Sequence, residues 1–536
     1  MTVLDDISAR LRALGDWAAP LTEVFVAAGF SLYAVGGSVR DALLGEHKED
    51  FEIDFTTDAR PDDIVRLMKP LCSGLWEQGR EFGTIGGILT ANGLKAEITT
   101  FRSEAYVDHS RKPAVQWGDS LEADLSRRDF TINALALDVI ALRRDNPENI
   151  LQLPYFHDYF QGFADLNAKR LRAPIDPEIL FNDDPLRMLR AARFAARFRL
   201  GVDPALEAAA VKVAEKIAIV SEERIQAELD LLMLTEFPSI GLDFIVRTGL
   251  AHHFFPELPM LQLEQDPVHH HKDVLLHTWA VVDKTSPRLT LRLAALFHDI
   301  GKPPTREITP DGVTFRFHEV VGAKMTRKRM TAMKYPKQVI DDVSRLVELH
   351  LRFHTYKLGW SDAAVRRYVR DAGPLLADLN ELTRCDCTTR NARKAAELSR
   401  RMDGLEVRIA KLQERDAQLA LRPALDGEQV MTLLGLAPGR AVGAALEYLM
   451  EILNIEELDQ KKDISLAEKK RRLLDAWEYF DDVSEVLKTW RCKHIGKALY
   501  YLVDVCDVAE DATVEEIGEI LTPWFEQRLF EDPDDE

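Results

Sequence analysis

Apolar and polar positions follow two different periods in the first 150 residues. Runs with period-two alternation predict β-strands at Ser31–Val35, Phe51–Phe55, Gly83–Leu89 and Lys95–Phe101. Apolar residues spaced three and four apart predict helices at Leu4–Leu14, Pro61–Met68 and Asn133–Leu142. This mixture predicts a small α+β head. From about Pro174 onward the pattern is almost wholly helical, so we expect a long all-α body to follow.

The composition is that of a protein with several sizeable cores. The chain has 536 residues, a net charge of −20 and five cysteines, too few for a disulfide framework. No apolar run is long enough to span a bilayer, so we expect a cytoplasmic protein with no membrane partner. The acidic surplus argues against general nucleic-acid binding, but local basic clusters could still bind it. Those clusters are Lys169–Arg172, Arg187–Arg199, Lys324–Lys337 and Lys461–Arg472.

A glycine pair follows the first predicted strand. Gly36 and Gly37 lack a Cβ, so the backbone there can approach a ligand closely. A helix starting near Ser38 would point its N–H groups at the same place, which favours phosphate. Arg40 in its first turn could add further donors. The alternative is an ordinary tight turn between a strand and a helix.

The second predicted strand carries two acids on one face. Glu52 and Asp54 alternate with apolar residues, so period-two geometry puts both carboxylates on the same side. Mg²⁺ is usually held by one or two carboxylates together with substrate phosphates. Glu97 on a later strand could supply a third ligand. The alternative is an amphipathic edge strand whose acids only face water.

Asp184 and Arg187 form a second polar group. Asp184-Pro185 predicts a helix start, and Leu186, Leu189, Ala192 and Ala196 would line its buried face. Cytosine and adenine both present an amino donor beside a ring-nitrogen acceptor. A carboxylate with a guanidinium would match that pattern and reject uracil and guanine. Arg128 and Asp129 could contact the triphosphate or ribose. The alternative is that Asp184 only caps a helix and that Arg187, Arg190 and Arg193 form a solvated face.

Histidines and acids recur farther along the chain. His277, His298, Asp299 and Asp386 are ligand types that suit a divalent transition metal able to activate water. We expect a further set to be able to hold a second ion: His318, His350 and His354. The alternative for any one of these histidines is an ordinary core position.

Taken in order, these motifs resemble the class II tRNA nucleotidyltransferases, or CCA-adding enzymes, which share their head with bacterial poly(A) polymerases. The segments that carry the resemblance are Val35–Asp41, Glu52–Pro61, Glu97–Arg102, Asp124–Ala134 and Asp183–Arg190. The segments Val320–Lys324 and Leu349–His354 look most like actinobacterial members. Leu291–Pro303, which contains His298 and Asp299, resembles the HD phosphohydrolase superfamily.

The resemblance implies a role for each matching residue. Glu52 and Asp54 would be the catalytic metal carboxylates. The nucleotide-binding positions would be Gly37, Arg40, Arg128, Asp129, Asp184, Arg187, Arg190 and Arg193. Two positions depart from the family pattern, which has Asp where this chain has Glu52 and Glu where it has Asp183. The longer Glu52 side chain could perturb metal geometry.

The resemblance also implies an architecture and an activity. We expect a polymerase-beta-type nucleotidyltransferase head over 1–150, a helical neck over 151–260 and an HD domain over 261–395. A helical tRNA-binding tail over 396–475 and a helical extension over 476–536 with a disordered acidic end would follow. The expected activity is addition of C, C and A to tRNA from CTP and ATP with Mg²⁺. The alternatives are a poly(A) polymerase, a CC- or A-adding enzyme, or an HD phosphohydrolase acting on RNA ends.

Overall fold

The computed structural model of the protein describes most of the chain. The described residues are 3–46, 52–105, 114–118, 120–263, 273–309, 312–356, 360–387, 392–419, 425–458 and 465–482, with 484, 499, 513, 514, 516, 517, 519 and 521. The chain divides into two compact units, Met1–His350 with Glu381–Thr388, and Leu351–Asn380 with Thr389–Glu536. Among the described helices, none is both long and apolar enough to cross a membrane.

The first unit begins with a mixed sheet and its covering helices. Its strands are β1 (Tyr33–Val35), β2 (Glu52–Thr57), β3 (Cys72–Trp76), β4 (Thr84–Leu89), β5 (Lys95–Thr100), β6 (Arg102–Ala105), β7 (Ala114–Trp117), β8 (Ala136–Asp138) and β9 (Phe156–His157). Its helices are α1 (Val3–Trp17), α2 (Ala19–Ala28), α3 (Gly37–Leu44), α4 (Pro61–Met68), α5 (Leu121–Ser126) and α6 (Val139–Asp145).

The sheet has seven strands in the order β3-β4-β5-β2-β1-β8-β9. β2 and β5 run parallel, and the other pairs of the sheet are antiparallel. β6 and β7 form a separate hairpin. Ile53 and Phe55 of β2 are buried while Glu52 and Asp54 are exposed, so the predicted period-two alternation is confirmed. Phe51 lies outside the described residues.

One predicted helix of the head is wrong. Asn133–Leu142 begins in a 3₁₀ turn, passes through strand β8 and becomes helical only at Val139. Ala134, Leu135, Ala136 and Leu137 are all fully buried in the sheet. A short run that is apolar at every position has no period that separates a strand from a helix. β9 extends this sheet past residue 150, where we expected the head to end.

The rest of the first unit is mainly helical, as predicted. Its helices are α7 (Gly162–Asn167), α8 (Pro177–Asp183), α9 (Arg187–Phe198), α10 (Pro204–Val213), α11 (Glu222–Met233), α12 (Pro238–Arg247), α13 (Ala251–Phe254), α14 (Val274–Lys284), α15 (Leu289–Phe297), α16 (His318–Ala332) and α17 (Lys337–Leu349). The exceptions are β10 (Arg170–Leu171) paired with β11 (Gly201–Val202), and β12 (Arg306–Thr309) paired with β13 (Gly312–Phe315).

A buried arginine joins α15 to the end of α11. Arg292 is 2% exposed, and its Nη1 donates to the carbonyl oxygens of Met233 and Thr235 at 3.1 Å each. Its Nε donates to the carbonyl of Thr285 at 2.7 Å. One guanidinium therefore satisfies carbonyls at the C-terminal end of α11 and in the turn before α15.

The second unit has its own core. Its helices are α18 (Asp362–Ala372), α20 (Ala392–Leu419), α21 (Gly427–Leu434), α22 (Arg440–Leu458) and α23 (Leu466–Trp477), while α19 (Leu376–Asp386) belongs partly to each unit. Tyr448 is fully buried among α21, α22 and α23, and its hydroxyl donates to the carbonyl of Arg472 at 3.1 Å. Trp477 and Phe480 stack with ring centroids 4.4 Å apart. The predicted acidic end, 531–536, lies outside the described residues.

Candidate active site

A polar cavity opens where the turn after β1 faces helix α9. Its volume is 490 Å³. The lining residues are Gly36, Gly37, Arg40, Asp54, Arg128, Asp129, Asn133, Asp184, Leu186, Arg187, Arg190, Arg193, Phe194, Arg197 and Arg224. All of the head and neck site residues expected from sequence are therefore brought together here except Glu52 and the candidate third ligand Glu97. The lining contains seven arginines and three aspartates, which suits an anionic ligand accompanied by a cation.

The glycine turn sits against an arginine. Gly36 has a φ of +70°, and its N–H donates to the carbonyl of Leu135 at 3.1 Å. A Cβ on Gly36 would lie 2.8 Å from Nη1 of Arg128, so a larger residue would displace that guanidinium. Helix α3 begins at Gly37, no described side chain caps its N-terminus, and Gly36 and Gly37 both line the cavity. The turn therefore places the N-terminus of a helix beside a cation.

Arg40 is buried in the wall of the cavity rather than extended into it. Its Nη2 and Nε donate to Oδ1 of Asp41 at 2.6 and 2.8 Å, and its Nη1 contacts Oδ1 of Asn133. Its guanidinium carbon lies 4.5 Å from the centroid of the Phe198 ring. Burial lowers the pKa of Arg40, although Asp41 opposes the shift. These contacts fix its orientation at the first turn of α3.

The two strand acids have different surroundings. Asp54 lines the cavity, whereas Oε1 of Glu52 lies 2.7 Å from Nζ of Lys95. Lys95 is the register partner of Glu52 on β5, and Glu97 is the register partner of Asp54. The hydrogen bond with Glu52 raises the pKa of Lys95. Among the described residues, these acids do not form a preassembled group of three metal ligands.

The Asp124–Asn133 segment holds two arginines in place. Oδ2 of Asp124 lies 3.6 Å from Nη2 of Arg128. Asp129 accepts from Nε and Nη2 of Arg190 at 2.9 and 2.6 Å and from Nδ2 of Asn133 at 2.8 Å. Burial alone would raise the pKa of Asp129, but Arg190 and Asn133 outweigh it and hold the pKa below its usual value. Because its carboxylate is already bonded, this geometry favours a positioning role for Asp129.

Asp184 and Arg187 lie between two helices. The predicted helix start at Asp184 is wrong by two residues, because α8 ends at Asp183 and α9 begins at Arg187 with Leu186 as its N-cap. Oδ1 of Asp184 accepts from the N–H of Leu186 at 3.2 Å, so it caps the turn before the helix. Oδ2 lies 3.0 Å from Nη2 of Arg224 on α11.

Arg187 is oriented by main-chain groups. Its Nη2 donates to the carbonyl of Arg127 at 2.8 Å, and its Nη1 donates to that of Leu180 at 3.3 Å. Nη1 also lies 3.0 Å from Asp183. The contacts to two carbonyls and one carboxylate fix the plane of the guanidinium, which has five donors. They hold its edge at the cavity wall beside Asp184.

The other arginines of α9 are not a solvated face. Arg193 is 9% exposed, and its Nε donates to Oε2 of Glu228 at 2.7 Å. Nη1 of Arg190 lies 3.4 Å from the same carboxylate. The predicted buried face is confirmed, since Leu186, Leu189, Ala192 and Ala196 are all buried. The sequence reasoning missed Asn133, Phe194, Arg197, Arg224 and Glu228. The spacing of Arg224 and Glu228, four apart on α11, was the available signal.

A second polar centre lies between α14, α15, α16, α17 and the end of α19. Potential metal-ligand atoms cluster in two groups of three, the first being His277, His298 and Asp386, and the second Asp299, His318 and His350. Nε2 of His277 lies 2.9 Å from Asp386 and 3.2 Å from Nε2 of His298. Nε2 of His318 lies 3.4 Å from Oδ1 of Asp299. The four residues expected from sequence are brought together, with Asp299 in the second group.

Backbone carbonyls orient three of these histidines. Nδ1 of His298, His318 and His350 lies 2.8, 2.8 and 2.6 Å from a carbonyl three residues earlier in the chain. The Nε2 atoms of His318 and His350 are buried without a hydrogen-bond partner. Such an arrangement leaves Nε2 available as a ligand. The expected third member of this set, His354, falls in the other compact unit, and its side chain lies outside the description.

The electrostatics of this centre favour a cation. Burial opposes protonation of His298, but Asp299 and Asp386 outweigh it and raise the pKa of His298 to about 10. Burial and the charge of His298 lower the pKa of His350 to about 3. Nζ of Lys302 also lies 2.7 Å from Oδ2 of Asp299. The carboxylates of Asp299 and Asp386 thus lie among imidazoles and a lysine, at a place where divalent ions could neutralise them.

Comparison with known families covers both centres. Residues 32–172 match the family described as "Poly A polymerase head domain", and residues 272–416 match the HD domain family. An A-adding tRNA nucleotidyltransferase of Deinococcus radiodurans is 32% identical over 441 residues, which cover 79% of this chain and 92% of that protein.

Two further similarities concern CCA-adding enzymes. One from Levilactobacillus brevis is 39% identical over 236 residues, which cover 44% of this chain and 54% of that enzyme. The chain therefore spans about half the length of this relative and most of the A-adding one. The crystal structure of the Bacillus stearothermophilus CCA-adding enzyme in complex with CTP has a TM-score of 0.57 at 20% identity, covering 87% of this chain and 98% of that one. This likeness confirms the predicted fold, a nucleotidyltransferase head followed by a helical body.

Proposed function

The chain belongs to the tRNA nucleotidyltransferase family, and we propose that it adds C, C and A to the 3′ ends of tRNA without a template. The substrates would be CTP, ATP and a tRNA that lacks its terminal CCA, and pyrophosphate would be released. Members of this family depend on a divalent metal ion, and we propose Mg²⁺ because the acids at the site offer hard oxygen ligands.

Phosphate binding follows from the glycine turn and its arginines. The first N–H groups of α3 and the guanidinium of Arg128 would receive the triphosphate, and Arg40 would hold the turn in shape. Asp54 would hold the metal ion, with Glu52 joining once it leaves Lys95. When bound, the ion would activate the tRNA 3′-hydroxyl and stabilise the departing pyrophosphate.

Base selection would rest on Asp184 and Arg187. The free lone pairs of Asp184 would accept from the amino group of cytosine or adenine, and Arg187 would donate to the ring nitrogen. Uracil and guanine would leave these two groups unpaired once a bound base had displaced water from them, which discriminates strongly. Arg224 would hold the carboxylate of Asp184, and Asp129 with Glu228 would hold Arg190 and Arg193. Residues of helix α11 and of the Asp124–Asn133 segment would thus hold the base-selecting residues in place.

The single observation that carries this proposal is the common cavity, in which Asp54, Gly37, Asp184 and Arg187 line one space of 490 Å³. The test is incubation of the purified protein with tRNA lacking its CCA end and each labelled nucleoside triphosphate. Incorporation of C and A, but not U or G, is expected, and the Asp54→Asn variant should incorporate none. Failure of the unmodified protein to incorporate either C or A would refute the proposal.

The same assay distinguishes CCA addition from two alternatives, addition of A alone and synthesis of poly(A). The A-adding relative, similar over most of the chain, favours A addition alone as the first alternative. A tRNA ending in CC would then be extended, whereas a tRNA lacking all three nucleotides would not accept C. A poly(A) polymerase would instead give a long ladder with ATP alone.

A second candidate function is metal-dependent phosphoester hydrolysis in the HD domain. The observation that favours it is the pair of buried ligand groups that share one centre. Imidazole and carboxylate ligands suit a transition metal that generates hydroxide near neutral pH. The His277→Ala variant should lose phosphoesterase activity and keep nucleotide incorporation, whereas Asp54→Asn should do the reverse. Hydrolysis that survives in His277→Ala would exclude this centre.

A further inference from the structure

Helix α16 has an exposed face that contains no acidic residue. The residues of this face are Val320, Lys324, Arg327, Lys328 and Thr331, and all of them are exposed. Their spacing of four, three, one and three residues puts them on one side of a helix. We call this surface the α16 basic face. Lys334 and Lys337, just beyond the helix, are exposed as well.

The two lysines of this face, Lys324 and Lys328, are not neutralised by a neighbouring acid in the part of the chain that the structure describes. Arg327 forms an ion pair with Asp341. Among the described residues, by contrast, no acid forms an ion pair with Lys324 or Lys328. Elsewhere, exposed lysines such as Lys212 are paired with an acid, in that case Glu178 at 2.7 Å. On a chain with a net charge of −20, two lysines one helical turn apart that form no ion pair with a described acid create a local positive field.

An exposed aromatic residue precedes the basic face. Phe317 is 71% exposed and has a φ of +59°, a conformation that a bulky residue rarely adopts. The next residue, His318, starts α16 and turns its side chain inward to Asp299. Lys324 and Lys328 lie about 9 and 15 Å farther along the helix axis than His318, from the helical rise. The order from the HD centre outward is therefore an aromatic ring followed by cations.

We propose that Phe317 and the α16 basic face bind single-stranded RNA, with a base on the Phe317 ring and phosphates on Lys324 and Lys328. Stacking on an aromatic ring beside a track of cations is how proteins hold single strands without reading their sequence. The face offers no further polar groups arranged to read bases, so it would position the strand rather than select it. The identity of the RNA as tRNA rests on the proposed function.

Binding measurements separate the two kinds of contact. The full chain and its variants are titrated with a fluorescent single-stranded RNA oligonucleotide at several salt concentrations. Lys324→Gln/Lys328→Gln should flatten the slope of log K against log salt by roughly 1.4, since each phosphate contact on a single strand contributes about 0.7. Arg66→Gln/Lys69→Gln removes the same charge from exposed positions of the head and should leave the slope unaltered. Lys324→Arg/Lys328→Arg should restore it.

Phe317→Ala should weaken binding about tenfold at every salt concentration without changing the slope, because stacking releases no counterions. Phe82→Ala, which removes another exposed phenylalanine, is its control. Equal slopes for Lys324→Gln/Lys328→Gln and for the head control Arg66→Gln/Lys69→Gln would overturn the proposal. A second outcome would also overturn it: Lys324→Gln/Lys328→Gln changes the sedimentation of the protein but not its RNA binding. The α16 basic face would then be a contact between copies of the chain. Absence of CCA addition by the unmodified protein would refute the proposed function alone, because RNA binding is measured separately.

Discussion

Nζ of Lys95 lies 2.7 Å from Oε1 of Glu52, and the two residues are register partners on parallel strands. A carboxylate expected to bind metal is thus paired with an ammonium group. Metal binding at Glu52 would have to break this ion pair. Because Glu52 has one methylene more than the Asp of the family pattern, its carboxylate can reach across to the neighbouring strand.

Removing the charge of Lys95 should therefore favour metal binding. We expect Lys95→Gln to tighten Mn²⁺ binding by about two- to fivefold, since an exposed ion pair is worth less than about 1 kcal/mol. Electron paramagnetic resonance titration would measure it in a His277→Ala background, which removes a ligand of the HD centre. Lys69→Gln, a change at another exposed lysine, should have no effect. An unchanged affinity in Lys95→Gln would mean that the ion pair does not compete with the metal.

Loss of Arg224 should impair nucleotide binding more than turnover. Its Nη2 lies 3.0 Å from Oδ2 of Asp184, so Arg224→Gln frees the carboxylate to rotate. We expect KM for CTP and ATP to rise about three- to tenfold, as for the loss of a partly exposed ion pair worth roughly 1 kcal/mol, with kcat nearly constant. Discrimination against UTP should fall as well. Arg199→Gln, which breaks an exposed pair with Glu236, is the control, and equal KM values in both variants would contradict the positioning role.

Metal binding at the HD centre should stabilise the protein. A ligand that binds only the folded state adds about 2.7 kcal/mol at a hundred times its Kd, which raises the melting temperature by several degrees. We expect this rise with Mn²⁺ or Ni²⁺, and a smaller one in His277→Ala. Differential scanning calorimetry with and without a chelator would measure the difference. An identical rise in both proteins would place the bound metal elsewhere.

Gly301 should be essential to the second ligand group. A Cβ there would lie 2.1 Å from the carbonyl oxygen of His318 and 2.7 Å from the backbone nitrogen of Gly322. Gly301→Ala would therefore push α16 away from the turn after Asp299. We expect metal-induced stabilisation to be lost while C and A incorporation persists. Gly404→Ala, at a position with open space, should keep both, and normal metal binding in Gly301→Ala would contradict the geometry.

Arg292 should matter for stability rather than for chemistry. Arg292→Met would leave the carbonyls of Met233, Thr235 and Thr285 without their donor inside the first unit. We expect a loss of about 2–4 kcal/mol in the free energy of unfolding, from several buried acceptors left unpaired. Chemical denaturation would measure it. Arg288→Met, at an exposed arginine paired with Glu381, should cost less than about 1 kcal/mol.

Local sequence patterns predicted which residues belong to the site better than they predicted the contacts between those residues. The alternation around Asp54 and the ligand types from His277 to Asp386 depend on neighbours in sequence, and the structure brings those residues together. The pairing of Glu52 with Lys95 depends on the register between β2 and β5, which no local pattern contains. The same holds for Arg224, because its contact with Asp184 joins residues 40 positions apart.

Errors in the predicted elements have two physical causes. Strand β8 was predicted as part of a helix because Ala134–Leu137 is apolar at every position and is buried on both faces. The helix start at Asp184 was predicted from its capping chemistry, and that chemistry does operate, since Asp184 accepts from the N–H of Leu186. The cap closes a tight turn first, so regular helix begins only at Arg187.

Helix α11 has a mechanical consequence for the enzyme. It is 12 residues long, or about 18 Å, with Arg224 in its first turn and its last carbonyls gripped by Arg292 of α15, the helix that leads into His298. One end of helix α11 therefore contacts the nucleotide cavity, and its other end contacts a helix of the HD domain. A tilt of the helix that changed the contacts at one end would also shift the residues at the other end. Occupancy of either centre would then alter affinity at its counterpart, and by thermodynamic reciprocity the influence would be equal in both directions.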